Sequence, residues 1–111
     1  MPNKIEITDK HKQLAKVSEA LAHPTRVAIL DYILSQEVCL CKDITKRLPI
    51  VQSSVSQHLK KLKDAGLIFG HIEGNKTCYC ANVKVIKAFR LLLDDEFSDD
   101  RLGEDCCHIQ N

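Results

Sequence analysis

At 111 residues, with 44% apolar and 28% charged residues, the chain has the size and composition of one soluble globular domain. Its most apolar stretch, Val83 to Leu93, is broken by Lys84, Lys87 and Arg90, so nothing approaches the roughly 20 apolar residues of a bilayer span. The charged N-terminus has no apolar core of a secretory signal, so a cytoplasmic protein with no membrane partner is expected. The net charge of +1 hides a segregation: Lys42 to Lys84 carries eight Lys/Arg against three Asp/Glu, and Val85 to Asn111 three against seven. A +5 middle beside a −4 end suits a nucleic-acid reader joined to a separate regulatory or dimerising end, because clustered cations bind phosphate through counterion release.

Taken in chain order, Leu14, Val17 and Leu21 recur at helical spacing, predicting a first helix from Thr8 or Asp9 to Ala22 with Asp9 as its N-cap. His23 and Pro24 interrupt it, and Pro24 suits the first turn of a second helix with Val27, Leu30, Ile33 and Leu34 on its core face, ending near Gln36. A short helix follows from about Cys39, with Ile44 and Leu48 apolar, closed by Pro49. The run QSSVSQHLKKLKDAGL repeats Val55, Leu59, Leu62 and Ala65 on one face, and Gly66 fits the position just past the helix end. Two β-rich runs, LIFGHIE and KTCYCAN, flank Gly74 and Asn75 and read as a hairpin. A last helix covers about Val83 to Phe97, with Ile86, Phe89, Leu93 and Phe97 on one stripe and Val85 and Leu92 on another. Two stripes exceed what one small core absorbs. The remainder, SDDRLGEDCCHIQN, has the composition of an acidic mobile tail.

The predicted fold is mainly α with a small β-hairpin, in the order α-α-α-α-β-β-α. A short helix, a tight turn and a polar-faced helix make a helix-turn-helix, and the hairpin makes it winged. Residues 1–97 form the DNA-binding and dimerisation domain and residues 98–111 the tail. On the helix starting at Gln52, the short polar side chains of Gln52, Ser53, Ser54, Ser56, Gln57 and His58 suit base edges, and Lys60, Lys61 and Lys63 suit phosphates. The hairpin tip, with Asn75 and Lys76, can reach a minor groove or the backbone.

These residues carry a family resemblance. LAHPTRVAIL, then VQSSVSQHLKKLKDAGLI, then a wing ending NKTCYCAN, over about Leu14 to Phe89, resembles the ArsR/SmtB family of small dimeric metalloregulatory repressors. The resemblance implies a homodimer built on the first and last helices, with the Gln52 helix reading an inverted repeat in double-stranded DNA. Members commonly carry a Ser N-cap where this chain has Val51. Ser54 with Gln57 offers an S-x-x-Q capping box that would start the helix later.

The six cysteines fall in three pairs: Cys39 and Cys41, Cys78 and Cys80, Cys106 and Cys107. Thiolates are soft ligands suited to As(III), Sb(III), Cd, Pb or Zn. Helical residues two apart diverge by about 200°, so Cys39 and Cys41 can share one ion only outside an intact helix. The resemblance implies that they sense, because arsenic- and cadmium-responsive members carry a C-x-C at the start of this helix. Cys106 and Cys107 lie in a polar tail unsuited to a core role and can complete a three-thiolate set, with His108 as an alternative nitrogen ligand. Cys78 and Cys80 alternate on a strand and are expected to pack behind the wing as small hydrophobes. The family's other site needs histidines on the last helix, and VIKAFRLLLDDEF has none.

The implied function is a repressor released from its operator when thiolates capture arsenite, antimonite or a soft divalent ion, with no organic cofactor. The alternative is a repressor of the same fold switched by thiol oxidation, through disulfide or persulfide formation. A thiol enzyme is disfavoured by the absence of C-x-x-C and of a phosphate-cradling glycine loop. A zinc-held interaction module is disfavoured because structural zinc usually takes C-x₂₋₄-C spacing. Disulfide staples are not expected in a reducing compartment.

Overall fold

The computed structural model describes residues 4–36, 44–49 and 51–104. Its elements are helices α1 (Asp9–Ala20) and α2 (Pro24–Leu34), a 3-10 turn (Ile44–Arg47), helix α3 (Gln52–Asp64), strands β1 (Ile68–Glu73) and β2 (Lys76–Ala81), helix α4 (Val83–Glu96) and a one-turn helix α5 (Asp99–Leu102). The expected order is present. Among the described residues the expected short helix is the single 3-10 turn, and α5 is an element that the sequence reading did not assign.

Local chemistry sets the helix ends. Thr8, not Asp9, caps α1: Thr8 Oγ1 accepts from the His11 backbone N–H, and His11 Nδ1 accepts from that of Thr8. This capping box puts a histidine where Glu or Gln is usual. His23 caps α2, its Nδ1 accepting from the Thr25 backbone N–H at 3.2 Å, and Pro24 follows in the first turn. Helix α3 starts at Gln52 with Val51 as an N-cap that offers no side-chain acceptor, so the later start at the S-x-x-Q box does not occur. The backbone explains it: the Val51 carbonyl already accepts from the N–H groups of Ser54 and Val55. At its other end Gly66, at φ +81°, occupies the left-handed region, the Gly66 N–H bonds the Lys63 carbonyl and the Leu67 N–H bonds the Leu62 carbonyl. That is a Schellman motif.

The core joins Val17 and Ala20 of α1, Ile29, Leu30 and Ile33 of α2, Ile44, the stripe Val55, Leu59, Leu62 and Ala65, and Leu67 and Ile68. The predicted stripe of α3 is the observed one. On α2 the face differs, since Val27 and Leu34 are exposed and Ile29 is fully buried. PTRVAILDYIL is apolar nearly all round, so spacing alone could not choose its buried side.

The strands pair antiparallel with Glu73 opposite Lys76, His71 opposite Cys78 and Phe69 opposite Cys80. Gly74, at φ +64°, and Asn75 form the two-residue turn, with the positive φ confined to the glycine. That restriction identifies the primed turn that takes glycine first. Helix α4, capped by Asn82, packs on α1, and Lys10 pairs with Asp95 at 2.6 Å and Glu96 at 3.7 Å. No described helix is long and apolar enough to cross a membrane.

Candidate nucleic-acid interface

Helix α3 lies over the core on Val55, Leu59 and Leu62, and its other sides stay available. Ser53, Ser56, Gln57, Lys60 and Lys61 are exposed; Ser54 and His58 are half-buried. Gln52 is the first residue of the helix. Asn75 and Lys76 are exposed at the tip of the hairpin. One flank of α3 faces the wing across an open cleft lined by Ser56, Lys60, Lys63, Thr77 and Tyr79. Burial raises the Tyr79 phenol above its ordinary pKa. Lys60 pairs with Asp64 at 2.9 Å, and that hydrogen bond holds the Asp64 carboxyl below the usual carboxylate range.

The other flank meets the start of α2. The rings of His58 and His23 sit 4.5 Å apart, tilted by 53°. Desolvation lowers the His58 pKa, reinforced by His23 and Arg26. His58 is thus half-buried where α3 meets α2. Arg26 Nε is buried without a hydrogen-bond partner among the described residues. A cleft behind α3 is lined by the cations Lys16, Arg26 and Lys61 and by the carboxylates Glu19 and Asp64.

The surface thus carries short polar groups at the start of α3, lysines along it and a hairpin beside it, with few carboxylates. Amides and hydroxyls read base edges, and lysines neutralise phosphates. Lys63, expected at phosphates, and Thr77, expected at the hairpin tip, line one cleft. That they share it depends on where the hairpin folds back, which spacing along the chain does not reveal.

Cys39, Cys41, Cys106, Cys107 and His108 lie outside the described residues. Cys78 is fully buried, as expected for packing behind the wing, but both Cys78 and Cys80 are disulfide-bonded. This corrects the reading of the pair as free small hydrophobes and the expectation that no cysteine would be a staple. Strand alternation puts both sulfurs on one face of β2, where covalent S–S links replace the contacts of free thiols.

Two helices joined by a tight turn, with a hairpin against the second, define a winged helix-turn-helix protein. Residues 21–68 match a family model described as a helix-turn-helix domain. Over 84 residues, 76% of this chain, it is 31% identical to the arsenical resistance operon repressor of Staphylococcus xylosus, covering 80% of that protein. It superposes with a TM-score of 0.73 on an ArsR-like transcriptional regulator from Rhodococcus sp. RHA1, over 86% of this chain and 91% of that one. At 24% identity, that likeness is one of fold. The cadmium metal-sensor CmtR from Mycobacterium tuberculosis matches with a TM-score of 0.53 and 29% identity, over 88% of this chain and 96% of that one. The chain belongs to the ArsR/SmtB family of winged-helix transcriptional regulators.

Proposed function

We propose that the protein is a cytoplasmic, homodimeric repressor that grips an inverted-repeat operator in double-stranded DNA when free of inducer. Gln52, Ser53, Ser54, Ser56, Gln57 and His58 face the bases, Lys60 and Lys61 hold phosphates, and the wing residues Asn75 and Lys76 reach a minor groove or the backbone. The observation that carries this reading is the exposed, polar and cationic side of α3 beside the wing, above a fully buried apolar stripe. Dimerisation through α1 and α4 is supported by the apolar side chains left in solvent beside them: Ile5 and Ile7 ahead of α1, Leu91 in α4 and Phe97 just past it.

The inducer is As(III), Sb(III) or a soft divalent ion such as Cd, Pb or Zn, captured by thiolates of Cys39, Cys41, Cys106 and Cys107. Release requires the ion to bind the DNA-free conformation better, by roughly 1–3 kcal/mol or more. One observation favours a second reading, a switch by thiol oxidation: both cysteines among the described residues, Cys78 and Cys80, are disulfide-bonded.

Fluorescence anisotropy of operator DNA under strictly anaerobic conditions tests both. Arsenite, antimonite or cadmium should release DNA from the reduced wild type and not from Cys39→Ser or Cys41→Ser, and truncation after Glu104 should weaken the response. Release by polysulfide alone would establish the oxidation switch. Absence of salt-sensitive affinity for any palindromic promoter fragment would overturn the DNA-binding reading itself.

A further inference from the structure

Cations from three helices converge behind α3. Lys16 of α1, Arg26 of α2 and Lys61 of α3 line one cleft of about 150 Å³ together with the carboxylates Glu19 and Asp64. Buried Ala20 and Ala65 also line it, and their short side chains leave its space open. Asp64 is already engaged by Lys60 at 2.9 Å, a hydrogen bond that holds its carboxyl below the usual carboxylate range. Among the described residues none of the three cations of the cleft pairs with a carboxylate. Three cations therefore face the one remaining carboxylate, Glu19, a net charge of +2.

Arg26 is half-buried, and its Nε is shut off from solvent without a hydrogen-bond partner among the described residues. A charged group that gives up water normally gains an acceptor. The guanidinium fork matches an oxyanion in shape and charge. Because Arg26 lines the cleft, a small turn of its side chain presents the Nε–H edge to an oxygen there.

We propose that this cleft is a binding site for one phosphate dianion, free or at the end of a small phosphomonoester, held by Arg26 with Lys16 and Lys61 beside it. The space sets the size of the ligand. Sites for cofactors and drug-sized molecules run to roughly 300–1,000 Å³, whereas this cleft has room for about five waters at ~30 Å³ each. Donors arriving from three helices reach the oxygens of a tetrahedral ion from different directions, whereas one guanidinium is enough for a planar carboxylate. Glu19 sharpens the choice, because a carboxylate accepts from the hydroxyl of a monoprotonated phosphate and repels sulfate, which has none. The diester of a nucleic-acid backbone also lacks that hydroxyl and carries a single charge, so the cleft fits it less well. Lys61 also belongs to the proposed duplex contacts, so a bound phosphate and the operator share one cation. Phosphate binding itself does not rest on the repressor reading.

The test is an NMR titration of the isotope-labelled full chain with inorganic phosphate at neutral pH, set against sodium chloride of equal ionic strength. The Arg26 Nε–H signal and the backbone N–H signals of Ala20 and Ala65 should shift and saturate together. Lys16→Gln and Lys61→Gln, both at exposed positions, should each weaken binding by about two- to fivefold. Arg26→Lys should weaken it by about tenfold, the loss of one charge-assisted hydrogen bond. Its partial burial puts the fold at risk, so the two exposed lysines decide, with circular dichroism to check folding. Lys12→Gln, on α1 but outside the cleft, should change nothing, and Glu19→Gln should narrow the preference for phosphate over sulfate. Shifts that sodium chloride reproduces, that never saturate, or that survive both lysine substitutions would overturn the proposal. A fall of about 1 in the salt slope of operator binding for Lys16→Gln would overturn it too, because the cleft would then hold the duplex backbone. Failure of the repressor reading shows separately, as a protein that binds phosphate and has no salt-sensitive affinity for DNA.

Discussion

Helices α3 and α4 are nearly the same length, 13 and 14 residues, and both are amphipathic, yet they end in different circumstances. Helix α3 buries Val55 and Leu62 completely, and α4 has no buried residue and leaves Leu91 63% exposed. Burying a large apolar side chain is worth about 1.5–3 kcal/mol, so α3 is complete within one chain and α4 still has that stabilisation to gain. Amphipathicity says that a helix needs a partner. Whether the partner belongs to the same chain is a separate matter, and here α4 is the half-finished element, as an interface helix in the proposed dimer would be.

The contrast breaks first at the buried position. Leu62→Ala should cost about 2–5 kcal/mol, read by urea denaturation, and Leu91→Asp should leave monomer stability almost unchanged while sedimentation equilibrium shifts from dimer to monomer. If Leu91→Asp unfolds the chain instead, α4 is not the exposed helix described here. Next in size is Gly66→Ala, at the left-handed end of α3. A Cβ there would meet only Val85 side-chain atoms, at 3.8–3.9 Å, so the penalty comes from the backbone and amounts to roughly 1–2 kcal/mol. A thermal melt with an unchanged midpoint would contradict that assignment.

Val51→Ser sharpens the picture of α3 in the opposite direction. It supplies the missing acceptor for an N-terminal N–H and should stabilise by about 1 kcal/mol, as a rise in the denaturation midpoint. The smallest effect is expected at the contact of α3 with α2. His58 has a depressed pKa in the folded protein, so below the ordinary value of about 6.5 the unfolded chain binds more protons than the folded one. Stability should therefore fall as pH drops from about 6.5 toward the folded-state pKa. His58→Gln should flatten that slope, and an identical slope in wild type and variant would remove His58 as its source.

The same contrast explains what could be read in advance. The stripe at Val55, Leu59 and Leu62, the glycine closing α3 and the Gly74–Asn75 turn were legible because each depends on neighbours within a few residues. On α2 the apolar residues surround the helix, so only contact with the rest of the chain could select Ile29 over Val27. Thr8 displaced Asp9 as cap because both are good acceptors and the turn geometry made the choice. At the candidate interface the polar side of α3 was legible from its residue types. The inward turn of His58 onto His23 was not, because it depends on the packing of α3 against α2.

Periodicity, caps and turn residues determined the order of elements, helix α3 and the hairpin, since hydrophobic spacing and backbone preferences are local properties of the chain. Tertiary structure alone decided which side of α2 is buried, that α4 is left unfinished, and that Lys16, Arg26 and Lys61 meet in one cleft behind α3. Those outcomes depend on helix packing, which joins residues whose separation along the chain carries no signal of their proximity in space.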